Sequence, residues 1–405
     1  MTKDGKLKIL HAVEFYEPSV GGMQEVVKQI SERLAALGHD VTIATTALPN
    51  REKNVINGVK IVGFDILGNY VRGTVGDAAS YEKFLLESDF DVVTNFAAQQ
   101  WTTDLALPLL PKIKAKKVFV PTGMGGIGMP AYKEYYQKMR TWMKGYDMNV
   151  FLSHDYYDTR LADEIGITKR AYVPNGAAAD EFLSTDLPDI RNKFGLSDQN
   201  LLILLVGSHT GAKGHAEAMK IFSKAKIKNA ALLIVGNVIF GGGCKKSCST
   251  KSLLFNYGLG RFTDRKEIIV ASLSRKETVG AYIAADLFLF PSQTECSPIV
   301  LFECMASKTP FLTSNVGNAK EIIEWSHGGL LLPTVQEKIG PRAQEGFHVS
   351  HVNIDESAVL LEDIARDRKR LSEMGEAGFR AWQERFTWEK IAKNYEKIYL
   401  NIVKR

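Results

Sequence analysis

Short, nearly continuous apolar runs alternate along this chain with stretches whose apolar residues recur every three or four positions. KILHAVEF (8–15) opens the pattern as a predicted strand and ends at a Gly21-Gly22 turn. In MQEVVKQISERLAALG, Val26, Val27, Ile30, Leu34 and Leu37 fall at helical spacing, and Gly38 is a natural C-cap. DVTIATT (40–46) then returns to strand, which completes a βαβ unit with a right-handed crossover. Further strands are predicted at 60–64, 91–96, 116–122 and 149–153.

A second series begins at LLILLVG (201–207) and continues through 231–236, 267–271, 286–292 and 309–314. Unbroken apolar strands separated by helices imply parallel sheets covered on both faces, so two series imply two doubly wound α/β domains. The Pro-, Asp- and Ser-rich stretch DEFLSTDLPDIRNKFG sets the expected boundary, giving domains over 1–185 and 186–380. The remainder, 381–405, is an amphipathic helix with Trp388, Ile391, Tyr395 and Ile398 on its apolar face.

Composition narrows the class. With 405 residues the chain exceeds the usual single core, and 45% hydrophobic with 24% charged residues is globular. Residues 1–185 carry 21 basic and 22 acidic side chains, leaving 30 and 24 for the rest. A mildly basic second half suits a phosphorylated ligand; no dense basic stripe points to nucleic acid. The start MTKDGKLKILHAVEF is too polar for a signal peptide, and no apolar run spans a membrane. Reduced cysteines in the cytoplasm are therefore expected.

The sharpest candidate chemistry lies in PSQTECSPIVLFECMASKTPFLTS (291–314). A strand ends at Pro291-Ser292, and Ser297-Pro298 reads as an N-cap followed by proline in the first helical position. Glu295 then sits in the loop and Glu303 inside the helix. Carboxylates at a sheet's C-terminal edge can accept hydrogen bonds from sugar hydroxyls, and a helix start offers N–H groups to phosphate. Spacing alone does not separate such a site from solvated acidic surface.

This pair of glutamates, within PSxxE…E.MA…P..TS, resembles the donor-site signature of glycosyltransferase family 4. The early GG turn, VPNG (173–176), LLVG…KG (204–214) and FTWEKIAKNYEKIY (386–399) extend the resemblance over nearly the whole chain. It implies the GT-B fold, in which two Rossmann-like domains face a central cleft and the terminal helix crosses back to the first. The implied reaction is transfer of a hexosyl unit from a nucleotide-sugar, UDP-linked by family frequency, to a glycan or glycolipid hydroxyl with retained anomeric configuration. No metal or other cofactor is implied beyond the donor itself.

The resemblance also implies roles. Glu303 would hold the donor ribose, Glu295 the transferred sugar, and Lys213 the diphosphate, with backbone N–H groups near Gly22 reaching the same phosphate. Cys296, Ser297, Ile299 and Val300 complete the expected donor side. Where the family usually carries an arginine after the LLVG strand, this chain has Ser208, with His209 and Arg261 as alternative sources of positive charge. The first domain lacks the family's usual histidine after its central strands. Asn95, Gln99, Thr122 and Gly123 are the acceptor-side candidates in its place. A nucleotide-sugar epimerase or hydrolase would turn over donor without acceptor; a binding protein that has lost catalysis would bind donor and transfer nothing.

Two stretches stand outside this scheme. The segment 236–260 reads as a long basic loop in which Lys245, Lys246 and Lys251 face ligand; no neighbouring His or Cys completes a metal set with Cys244 and Cys248, so no metal is expected. The segment 124–147 interleaves Met, Tyr and Trp with basic residues. A core-facing helix is the favoured reading, and a weak peripheral contact with the inner face of a membrane is the secondary one.

Overall fold

The computed structural model describes residues 5–237, 243–258, 264–335 and 350–404. They divide into two compact units. One takes in the chain up to Asn175 and again from Trp388; the other begins at Gly176 and ends at Thr387.

The first unit is built on β1 (Lys8–Ala12), β2 (Asp40–Thr46), β3 (Val55–Ile56), β4 (Val59–Phe64), β7 (Val92–Phe96), β8 (Lys116–Val120), β9 (Met148–Phe151) and β10 (Arg170–Tyr172). Their order is β10-β9-β8-β7-β1-β2-β4-β3, and all pairs are parallel except β3 with β4. A two-stranded ribbon, β5 (Ile66–Asn69) with β6 (Gly73–Gly76), lies outside that sheet. β1 is buried over Ile9–Ala12 because helices cover both faces, which is why its sequence shows no polar alternation.

The last helix, Trp388–Val403, belongs to this unit and packs along the helix Gly22–Ala36. Its inner face is Trp388, Ile391, Ala392, Tyr395, Tyr399 and Ile402; Tyr399, rather than the expected Ile398, takes the deep position. The reason is polar. The Tyr399 hydroxyl lies 3.0 Å from His11 Nε2 and 2.8 Å from Thr94 Oγ1, while His11 Nδ1 lies 2.7 Å from Ser31 Oγ. Burial lowers the His11 pKa to about 3, so the network is neutral and costs no buried charge.

The second unit holds β11 (Leu201–Val206), β12 (Ala230–Val235), β13 (Lys266–Ala271), β14 (Leu287–Phe290), β15 (Phe311–Thr313) and β16 (Gly329–Leu331), all parallel in the order β13-β12-β11-β14-β15-β16. β17 (Thr334–Val335) and β18 (His351–Val352) form a short antiparallel pair.

The second unit starts ten residues before the expected boundary. Ala177 N–H donates to the Phe386 carbonyl at 3.0 Å, Trp382 Nε1 donates to the Ala177 carbonyl, and Phe182 is buried in this unit's core. These contacts tie 176–185 to the chain just before Trp388, which the polar composition of the stretch conceals. Among the described residues no helix is long and apolar enough to cross a membrane.

Both sheets reverse their winding direction once, between β1 and β7 in the first unit and between β11 and β14 in the second. Crevices outside the carboxyl ends of strands open at such points, because the flanking connections leave to opposite faces.

Candidate functional site

In the second unit the two loops that flank the reversal are in backbone contact. After β11 the chain turns through Gly207–Gly214 into the helix His215–Lys224; after β14 it turns through Pro291–Pro298 into the helix Ile299–Ala306. Gln293 N–H donates to the Ala212 carbonyl at 2.8 Å, and Ser292 Oγ donates to the same oxygen at 3.1 Å. Gly214 has φ 74°, and a Cβ there would stand 2.1 Å from the Pro291 carbonyl oxygen. Only glycine permits both the turn and the approach.

These contacts bring Lys213 and Glu295 together. Lys213 Nζ lies 2.7 Å from Glu295 Oε1, and Ser292 Oγ, whose one proton is shared with the Ala212 carbonyl, lies 2.8 Å from that oxygen. The lysine side chain is 29% exposed and the glutamate 10%, so the cation is the more available partner. A cation and a carboxylate held side by side can serve two parts of one ligand, an anion and a hydroxyl-bearing ring.

Glu303 lies deeper, 3% exposed within its helix. Its Oε1 accepts from Arg275 Nη1 at 2.5 Å, and Arg275 Nη2 reaches Glu181 Oε2 at 2.5 Å. Arg275 opens the helix Arg275–Ala284, whose start is fixed by a capping box between Ser274 and Glu277. Sequence reasoning missed this arginine. The available signal was Ser274-x-x-Glu277 directly after a strand, which places Arg275 at the sheet's C-terminal edge.

The other donor-side candidates divide. Ser208 is half-buried, and its carbonyl accepts from Thr210 N–H at 2.7 Å. His209 is wholly buried; burial and the nearby Lys245 lower its pKa, so it is neutral and does not replace the missing arginine. Arg261 lies outside the described residues. The Cys296 carbonyl accepts from Asn318 N–H at 2.9 Å, held by Gly317, where a Cβ would meet that oxygen at 2.1 Å. The helix begins one residue later than expected. Pro298 is extended, with ψ 112°, and is itself the cap position, so half-buried Ile299 and Val300 form the first turn.

The expected loop over 236–260 is helical from Lys245 to Tyr257. Lys245 Nζ donates to Ser272 Oγ at 2.9 Å, whereas Lys246 and Lys251 are exposed. The expectation that nothing joins Cys244 and Cys248 is also corrected. His209 and His215, distant in sequence, lie beside Cys244.

In the first unit, Gly22 is the first residue of its helix, where the backbone N–H groups have no intrahelical acceptor. Asn95 is withdrawn as an acceptor contact. It is 1% exposed, and its side chain is engaged by the Tyr146 hydroxyl at 3.0 Å and the Thr102 carbonyl at 3.4 Å. Gln99 and Thr122 stand in loops after β7 and β8, where Ala97, Gln99, Thr122 and Met124 all have φ between 52° and 64°. Four non-glycine residues in this region store strain that surrounding contacts must hold. Gln99 N–H donates to the Tyr135 hydroxyl at 2.9 Å, which donates to Asp104 Oδ1 at 2.7 Å, and Gly123 N–H donates to Asp158 Oδ2 at 2.8 Å.

Glu14, just past β1, was not anticipated. Burial, then the charge of Asp104, raises its pKa to about 7. An acid ending a strand at the first βα turn was the sequence signal. Tyr132, Tyr135, Tyr136, Met139 and Met143 are buried in a hydrophobic cluster of this unit.

Comparison with known proteins places both halves of the chain in glycosyltransferase families. Residues 20–181 match the family described as Glycosyltransferase Family 4, and residues 186–381 match Glycosyl transferases group 1. The chain is 22% identical over 406 residues to an N-acetyl-alpha-D-glucosaminyl L-malate synthase of Bacillus anthracis, covering 96% of each. Among solved structures it is similar to sucrose-phosphate synthase from Thermosynechococcus elongatus, with a TM-score of 0.73, 19% identity, and 96% and 98% of the two chains covered. The Anabaena protein HepE in complex with UDP-glucose gives a TM-score of 0.69 at 14% identity, over 96% and 98%.

Proposed function

This chain is a glycosyltransferase of the GT-B fold, related to the group 1 and family 4 enzymes, and on that premise we propose that it moves a hexosyl unit from a UDP-sugar to a hydroxyl of a glycan or glycolipid with retained anomeric configuration. The observation that carries the proposal is the meeting of Lys213 and Glu295 at the β11–β14 reversal.

Breaking the bond between an anomeric carbon and a nucleoside diphosphate places a growing negative charge on the leaving phosphate. A lysine fixed beside it stabilises that charge more in the transition state than in the ground state, which accelerates transfer rather than merely tightening binding. Once Lys213 turns to phosphate, Glu295 is released to accept hydrogen bonds from the sugar's hydroxyls. Glu303, oriented by Arg275, is assigned to the ribose. In the retaining route the leaving phosphate takes the proton of the incoming acceptor hydroxyl, so no protein nucleophile is needed. Gln99, Thr122 and Gly123 are assigned to the acceptor.

HepE, whose structure is described as a complex with UDP-glucose, favours the uridine donor. The glucosaminyl L-malate synthase relative adds small hydroxy acids to the acceptors worth trying. The test is a turnover screen of UDP-, GDP- and ADP-sugars with glycan, glycolipid and hydroxy-acid acceptors, followed by NMR assignment of the product's anomeric centre. An α-linked product from an α-linked UDP donor is expected. Exclusive use of another nucleotide, an inverted product, or donor hydrolysis indifferent to every acceptor would overturn the reading.

A further inference from the structure

We propose that His209, His215, Cys244 and Cys248 form a closed binding site for one zinc-class divalent cation, separate in its chemistry from the Lys213–Glu295 pair. All four residues lie in the second unit: His209 and His215 bracket the turn after β11, and Cys244 and Cys248 lie at the start of the helix Lys245–Tyr257.

The spacing is that of a ligand set. Five residues separate the histidines and three separate the cysteines, within the ranges of structural zinc sites. Cys244 Sγ lies 3.5 Å from His209 Nδ1 and 3.6 Å from His215 Nδ1. In a tetrahedron with Zn–S of about 2.3 Å and Zn–N of about 2.0–2.1 Å, the sulfur-to-nitrogen edge is about 3.6 Å. One nitrogen of His209 and the sulfurs of Cys244 and Cys248 all fall within 4.8 Å of one another.

The surroundings fit as well. His215 Nε2 lies 3.1 Å from the Gly207 carbonyl. Donation to that oxygen leaves the lone pair on Nδ1, the nitrogen that faces Cys244, as histidine ligands commonly do. On cation binding the two thiols lose their protons to solvent as two S–metal bonds form. Gly243 permits the closure: a Cβ there would stand 1.4 Å from the His209 carbonyl oxygen.

Four protein ligands leave no position for substrate, so the ion is structural. It would staple the turn that carries Lys213 to the helix Lys245–Tyr257. The test is zinc content and cobalt titration of reduced, tag-free full-length protein. One equivalent of zinc, a tetrahedral thiolate–cobalt spectrum and release of about two protons per ion at neutral pH are expected. C244S and C248S should each lower affinity on the order of 100-fold or more, the least expected when a ligand rather than its supporting contact is lost; C296S should retain it. Folded wild-type protein that takes up no zinc or cobalt would overturn the site, leaving thiol–imidazole hydrogen bonds as the account of the cluster. So would a cobalt spectrum unchanged in C244S and C248S. Neither result touches the donor assignment, which is read from turnover.

Discussion

Lys213 Nζ and Glu295 Oε1 are 2.7 Å apart although 82 positions separate them in the chain. The pair is held by backbone contacts between two loops, so either side chain can be removed without removing the scaffold. K213A should lower kcat on the order of 100- to 1000-fold, the range for losing one donor to a developing oxyanion. Donor affinity should fall much less, because the charge at stake grows only as the bond breaks. Steady-state kinetics with isothermal titration of the donor separate the two. Equal losses in affinity and in kcat/KM, with kcat unchanged, would place Lys213 in ground-state binding only.

Arg275 and Glu303 make a different kind of pair. Glu303 is almost fully buried, whereas the Arg275 side chain is 40% exposed and also reaches Glu181. R275A takes the guanidinium from a buried carboxylate and should destabilise the second unit by about 1–2 kcal/mol, less than the roughly 3–5 kcal/mol of a fully buried pair because solvent screens the arginine. R275A/E303Q should recover part of that loss, since the second change removes the stranded charge. Denaturant unfolding of the three variants decides it: a double variant no more stable than R275A contradicts the coupling.

What the sequence made legible follows from how each feature is encoded. β11 and β14 were readable because LLILLV and LFLF are buried almost throughout, and an unbroken apolar run this short suits a strand covered on both faces. Lys213, Glu295 and Glu303 were singled out through a family resemblance, whereas the meeting of Lys213 with Glu295 rests on loop contacts that no spacing displays. Arg275 was not, because its partner Glu303 lies 28 positions away and one arginine after a strand resembles any other. Asn95 misled because polarity at a strand end suggests exposure, while Tyr146 draws its side chain inward. His209 misled for a reason visible only in space: the bare Gly243 lets the chain close over it.

Gly214 tests whether the approach of the two loops matters. With φ 74° and a would-be Cβ 2.1 Å from the Pro291 oxygen, any side chain there must either strain the turn or push the loops apart. G214A should destabilise by about 1–3 kcal/mol and lower kcat, because the displaced turn carries Lys213. Placing alanine at Gly195, where φ is also positive but no atom lies within 4 Å of the would-be Cβ, isolates the backbone term. If G214A and G195A proved equal in both stability and turnover, the close approach would have no separate role.

Glu14 gives the first unit a pH dependence with a definite sign. Burial disfavours its charged form and raises its pKa from 4.5 to about 7. Between those values the folded chain holds a proton that the unfolded chain has released, so this residue's contribution to stability is complete below about pH 4.5 and declines as pH rises through about 7. Asp104 acts in the same direction over a lower window, its pKa raised from 3.8 to about 6 by burial. E14Q removes the first contribution and leaves the second. Thermal unfolding from pH 5 to 8 should therefore fall less steeply in E14Q than in the wild type, the gap widening up to about pH 7 and staying constant above it. Parallel curves would mean that Glu14 titrates as an ordinary solvated carboxylate.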